Sequence, residues 1–299
     1  MTRLRRIGFA LAAVPALVLA NPAAALALSI NEEFKPQNEF KLDPWIEIKA
    51  GPFDFSINKA VMYLTITCVL TCVVMVWIAR RMEAKPNRVQ TAVETIYLLM
   101  KDNIAGGNMD SKTAKRWFSF VATLFMFIWI SNMLGYIPLP TNTEHKVELF
   151  GIAWPTFALY AATANLAVPL ALTLLVWFAY HYEGVRAKGP IKYLKGWVPA
   201  GVTGPAVYPI FVIEVISHFV RLVSLSVRLF ANILAGHLLI LFMGGGLAVL
   251  LSLELIGVFT LPLAIAFYIF EVGLVATLQA FIFATLASIY FGGAVAEEH

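Results

Sequence analysis

Apolar positions in this chain come in long unbroken runs, and the short segments between the runs collect the charges. Runs of about 20 apolar residues predict membrane-spanning helices, because a helix satisfies its own backbone in lipid; a barrel would show alternation instead. The first run follows Arg3, Arg5 and Arg6 and ends in small residues at Ala25 to Ala27, the layout of a secretory signal peptide over 1–27. Residues 28–58 are polar and mixed and hold no spanning run, so they read as an external N-terminal segment. Spans are expected from about Lys59 to Ala79, Trp117 to Ile137 and Thr156 to Tyr180. A long apolar helix follows from Pro205 to Phe242 and is broken at Gly244 to Gly246. The last apolar region, Leu247 to Phe291, is too long for one perpendicular span, and Pro262 is expected to divide it, leaving a final helix from about Leu263. Val89 to Lys101 has helical periodicity with its charges on one side, which suits a helix lying on the membrane surface.

Charge placement orients these elements. Arg80, Arg81, Lys85 and Arg88 follow the first span, and Arg186, Lys188, Lys192 and Lys195 follow the third. The segment from Thr141 to Pro155 between them holds one lysine and two glutamates, so it reads as an external loop. The positive-inside rule then places the mature N-terminus outside and the C-terminus in the cytoplasm, in the cell inner membrane. The fold class is an all-α membrane protein, with 59–299 as one helical bundle of about five spans and a surface amphipathic helix. The last two helices are long enough to require strong tilt.

Composition agrees. The chain is 60% hydrophobic and 13% charged, too few charges to coat a water-soluble particle of 299 residues. A soluble enzyme is thereby excluded. No metal-ligand cluster and no phosphate-binding glycine loop is present, so no cofactor is expected, and nothing points to nucleic acid. Cys68 and Cys72, at helical spacing within one apolar run, read as small packing residues.

Two helices break the rule that lipid-buried segments lack charge. The fourth span holds Glu214, His218, Arg221, Arg228 and His237, and the last holds Glu271 and Gln279. An arginine at a helix centre costs about 3 kcal/mol on insertion scales, so these groups imply a polar path or a partner. On a helix advancing about 100° per residue, Glu214, Ser217, Arg221, Ser224 and Asn232 all fall within about 40° of Arg228 and form one polar stripe. His237 lies nine residues past Arg228 and points the other way. If the last two helices are antiparallel neighbours, the register that sets Arg228 beside Gln279 also sets His237 beside Glu271, to within one residue. Arginine keeps its proton and can act only as a fixed cation. Histidine and glutamate can exchange protons, so His237, Glu271, Glu214 and His218 are candidate relay groups, with Ser217, Ser224, Asn232 and Asn165 placed to hold water between them.

The stretch SLSVRLFANILAGH from Ser224 to His237 resembles the signature of subunit a of the rotary F-type ATP synthases. So does TLQAFIF from Thr277 to Phe283, and the similarity extends more loosely through Phe125 to Pro140 and Tyr160 to Leu172. The resemblance implies a non-catalytic, proton-conducting stator subunit of the Fo sector, standing beside the c-subunit ring and offering it two half-channels that do not meet. It implies b subunits of a peripheral stalk as further partners, with F1 reached indirectly and ATP chemistry done there. Arg228 would take the place of the essential coupling arginine, with Gln279 its neighbour. His237, Glu271 and Asn232 would line the outer half-channel, and Glu214 and Ser217 the inner one. One branch of the family carries the glutamate and histidine in exchanged places relative to His237 and Glu271, which keeps the same two groups facing each other. The family often has proline where this chain has Leu222, a difference of local helix shape. The rival reading, a proton-coupled secondary transporter, calls for inverted repeats and paired broken helices, and the sequence has neither.

Overall fold

A computed structural model of the chain describes residues 42–82 apart from 43, 51–52 and 55, then 87–149, 152–198, 202, 204–246 and 254–296. The expected signal peptide and the closing Glu297, Glu298 and His299 lie outside the described residues. Helices make up most of the described chain: α1 Lys59–Arg80, α2 Arg88–Leu98, α3 Ser111–Gly135, α4 Ala167–Lys188, the short α5 Pro190–Lys195, α6 Val207–Leu241, α7 Glu254–Phe270 and α8 Ala276–Val295. Wide π turns occupy Leu99–Gly106, Phe242–Gly246 and Glu271–Val275. Two antiparallel hairpins complete it, β1 Lys49–Ala50 with β2 Phe53–Asp54 and β3 Leu139–Leu149 with β4 Ile152–Ala158. The chain divides into two compact units, one of Leu42–Ala235 with Val272–His299, the other containing Gly236–Glu271.

Sequence chemistry sets the helix starts. Asn58, in extended backbone, accepts a hydrogen bond from the Val61 N–H at 3.1 Å and opens α1. Asp110 does the same for α3, accepting from Lys112 and Thr113 N–H groups at 3.0 and 3.3 Å. Bonding from Thr113 holds its carboxyl below the usual carboxylate value, as suits an anion at a helix N-terminus. This cap starts α3 six residues before the expected Trp117, because Lys112, Lys115 and Arg116 are accommodated in its first turns.

In the larger unit α3 is the hub, with α1 and α8 packed on it and α8 also against α4. The α1 contact is a narrow stripe, Tyr63, Thr67 and Thr71, whose buried threonine hydroxyls donate to carbonyls four residues back. The α8 face is lined by small residues: Ala276, Ala280, Ala284 and Ala287 are fully buried, which lets the backbones approach closely. Trp117, Phe120 and Phe291 fill the space at one end, with the Trp117 and Phe291 rings 4.5 Å apart. At the other end the buried Asn132 donates to the Ala276 carbonyl at 3.3 Å and accepts from the Thr163 hydroxyl at 2.9 Å.

Arg116 of α3 and Glu183 of α4 form an ion pair at 2.7 Å, with the Glu183 side chain 3% exposed and that of Arg116 44%. Removing Arg116 leaves the buried Glu183 carboxylate with only the longer contact to Arg186, at 4.0 Å, so Arg116→Ala should lower stability by about 2 kcal/mol. Glu183→Gln, which keeps a hydrogen-bonding group in place, should cost only about 1 kcal/mol. Thermal dissociation of the detergent-purified complex checks the order; equal effects would mean that the pair is screened by solvent.

Several expectations need correction. The segment from Thr141 to Pro155 is mostly strand, with Leu139 paired to Ala158 and Leu149 to Ile152, rather than a plain loop. The third helix runs Ala167–Lys188, displaced from Thr156 to Tyr180 because Thr156 pairs in β4. Among the described residues four segments are long and apolar enough to cross a membrane, Lys59–Arg80, Ser111–Gly135, Gly204–Gly244 and Thr260–Val295. Helix α4, counted as a span from sequence, is not among them; its last turns hold Glu183, Arg186 and Lys188. Pro262 does not divide the last region: α7 continues through it, and the irregularity falls at Glu271–Val275. Helices in lipid tolerate proline where the freed backbone groups are satisfied otherwise. Cys68 and Cys72 are free thiols on the exposed side of α1, opposite its packed stripe, and not packing residues.

Candidate functional site

The polar stripe of α6 lies on one face and divides into two environments. Glu214, Ser217 and Arg221 are half-buried, while Ser224, Arg228 and Asn232 are exposed. Glu214 and Arg221, with His218, form a wall of a cavity of about 580 Å³ whose other walls come from α4, α5, Trp197 and α8. Arg221 Nη2 binds Glu214 Oε1 at 3.2 Å, and its guanidinium lies over the Tyr290 ring, 5.8 Å from the centroid. His218 is buried, with Nε2 at 3.8 Å from the same carboxylate oxygen. Its Nδ1 is hydrogen-bonded to the Tyr180 hydroxyl at 2.9 Å. Tyr180 can donate to the neutral ring or accept from the charged one, so that bond survives a change of protonation at His218. At the basic end of α4, Lys188 Nζ donates to the Ala296 carbonyl at 2.6 Å and joins the cavity lining. The cavity therefore holds a carboxylate, an imidazole, a fixed cation and phenols within a few ångströms, a set able to pass protons.

Outside the cavity one side of α6 is bare, while Leu225, Leu229 and Ile233 on its other side are buried. Val212, Ile213, Ile216, Phe219, Val220, Val223 and Val227 are all more than 40% exposed, and Arg228 is exposed among them. No hydrogen bond or ion pair reaches Arg228 among the described residues. Gln279 is buried on α8, and no hydrogen bond joins it to Arg228. Ser224 donates to the Arg221 carbonyl at 3.2 Å. Asn165 accepts from the Ala167 N–H at 3.0 Å and so is engaged in starting α4.

In the smaller unit His237 is fully buried and Glu271 is 7% exposed. The Glu271 carboxylate packs on Gly236: a Cβ there would meet it, with the carboxyl carbon 2.6 Å away. That contact falls within one position of the register expected from sequence. Glu271 also opens the π turn Glu271–Val275, an irregularity often found at functional sites. Among the described residues no group of three or more His, Cys, Asp or Glu could hold a metal ion.

The sequence alone did not single out Tyr180, Tyr193, Trp197, Lys188 and Tyr290, which build the cavity around Glu214 and His218. Four of them lie between 180 and 197, but Glu214, His218 and Tyr290 come from later helices, and no local pattern marks the four as meeting them.

Residues 61–292 match the model of the family described as ATP synthase A chain. Among curated proteins, the chain is 33% identical to an ATP synthase subunit a of Rubrobacter xylanophilus over 248 residues, 82% of this chain and 86% of that one. It is equally 33% identical to those of Maricaulis maris and Bradyrhizobium diazoefficiens over 270 residues, 88% of this chain and 98% of each relative.

Proposed function

This chain belongs to the ATP synthase subunit a family, and on that premise we propose that it feeds the rotating ring of c subunits through two separate aqueous half-channels, with Arg228 as the fixed charge between them. As a member it is a multi-pass membrane subunit of the proton-translocating Fo sector. The ring, the b subunits of a peripheral stalk and the inner membrane, with N-terminus outside and C-terminus in the cytoplasm, belong to the proposal, as does ATP chemistry confined to F1.

One observation supports this reading: an arginine stands exposed on a spanning helix whose same side exposes valine, isoleucine and phenylalanine, and no ion pair to it is present among the described residues. In lipid that arrangement costs about 3 kcal/mol, and a carboxylate on a neighbouring subunit would offset it. Arg228 keeps its charge at every physiological pH, so it attracts each ring carboxylate and blocks protons from leaking straight through. Gln279 flanks it from α8. His237, Glu271 and Asn232 take protons from outside. Glu214 and Ser217, with His218 and Ser224 beside them, return protons to the cytoplasm through the cavity, whose wall ends at the basic tip of α4.

In ATP-driven acidification of inverted vesicles, Glu214→Gln should slow pumping about tenfold, because the amide cannot exchange a proton. Unchanged pumping would remove the cavity from the proton path. The His237 and Glu271 groups fit proton rather than sodium transport, and sodium-stimulated ATP hydrolysis by the purified complex would contradict that choice.

A further inference from the structure

A second imidazole stands against the cavity wall. His181, on α4 next to Tyr180, lies with its ring 4.9 Å from that of His218, edge to face at 84°. The two rings are held alike: Tyr180 is bonded to His218 Nδ1 at 2.9 Å, and Tyr193 of α5 to His181 Nδ1 at 3.2 Å. With each Nδ1 occupied by a tyrosine, the Nε2 atoms differ. That of His218 faces Glu214, while that of His181 is buried and makes no hydrogen bond among the described residues.

We propose that His181 and His218 form a paired proton station that sets the pH at which the cavity exchanges protons with the cytoplasm, and that Tyr193 positions His181 for it. The proposal rests on the cavity being the cytoplasmic half-channel. Two imidazolium rings this close repel each other, so the pair takes up one proton at a time. The charged groups facing the pair fix where that proton sits. On α6, Glu214 favours it at His218 and Arg221 opposes it. On α4, Tyr180 anchors the ring and Lys188 adds a cation to the cavity lining. From α5 comes Tyr193, and from α8 Tyr290, whose ring contacts Tyr180 at 5.7 Å. Trp197 at 4.5 Å from His218 and Trp177 at 4.2 Å from His181 present aromatic rings that stabilise an imidazolium at either seat. No bond is made or broken beyond this transfer: a proton from the cytoplasm binds the pair, passes to Glu214 and leaves the pair neutral.

The test is the rate of ATP-driven acidification by the assembled complex in inverted vesicles, across a series of external pH values. Pumping draws its protons from the cytoplasmic side, so the rate should fall as pH rises past the midpoint of the pair. His181→Gln removes one of the two seats and leaves the proton less firmly held. The fall should then come about half a pH unit lower than in the wild type. Tyr193→Phe, which keeps the ring and loses only the hydroxyl, should move it the same way by less, and decides the matter if His181→Gln fails to assemble. Profiles that superpose on the wild type, or that drop by the same factor at every pH, overturn the proposal. If Glu214→Gln pumps normally, the half-channel reading itself has failed; if Glu214→Gln is impaired while the His181→Gln and Tyr193→Phe profiles stay in place, only the paired station has.

Discussion

Arg228→Ala should leave the complex assembled and abolish ATP-driven acidification, with a loss of at least about tenfold and a fall to background in the limit. Assembly should survive because Arg228 makes no hydrogen bond or ion pair among the described residues and lies on the exposed side of α6, so its removal leaves no cavity and no orphaned partner. The loss follows from what the guanidinium supplies. Without a fixed cation, a ring carboxylate has no reason to give up its proton on one side rather than the other, and the two half-channels are no longer kept apart. Vesicles stripped of F1 should therefore also leak protons faster. Arg228→Lys keeps a charge but loses the planar fork, so it should recover little of the pumping. Near wild-type acidification in Arg228→Ala would make the residue structural and force the coupling role onto another group.

Gly236→Ala should be almost as damaging, although alanine is the better helix former by about 1 kcal/mol. The added methyl would occupy the place of the Glu271 carboxylate, whose carbon lies 2.6 Å from the Cβ position. Glu271 begins a π turn and is 7% exposed, so it has little room to retreat. Displacing a proton-exchanging group by about 1 Å can cost a hundredfold in rate, so pumping should fall at least about tenfold with assembly intact. Glu271→Asp in the same chain shortens the side chain by one methylene and should restore several-fold of the lost rate. Normal pumping by Gly236→Ala alone would mean that the position of the Glu271 carboxylate does not matter to transport.

Much of this was legible in the sequence, and the particular residues show why. The apolar runs gave α1, α3 and the two long final regions, because a spanning helix must be apolar over its whole length. The polar stripe on α6 could be drawn from the 3.6-residue repeat alone, since every member lies on one helix. The division of that stripe into a covered part at Glu214 and Arg221 and a bare part at Arg228 depends on α4, α5 and α8, and no single segment encodes it. Boundaries failed where a local device overrode hydropathy. Asp110 moved the start of α3, and strand pairing moved the start of α4. Pro262 was read as a break by its chemistry, yet the helix continues through it and widens instead at Glu271. The aromatic wall of the cavity was invisible because Tyr180, Tyr193, Trp197 and Tyr290 look like ordinary helix residues and meet Glu214 and His218 only in three dimensions.

The most direct test of the account asks whether the bare face of α6 is the face that meets the ring. In a background with Cys68→Ser and Cys72→Ser, which removes both native thiols, Ser224→Cys puts a single thiol one turn from Arg228 on that face. A second cysteine is placed beside the proton-carrying carboxylate of the c subunit, and the membranes are oxidised. A disulfide should join this chain to a c subunit from Ser224→Cys and not from a cysteine at Val69 on the exposed side of α1. A cross-link from Val69→Cys with none from Ser224→Cys would contradict it, and Arg228 would then face something other than the ring.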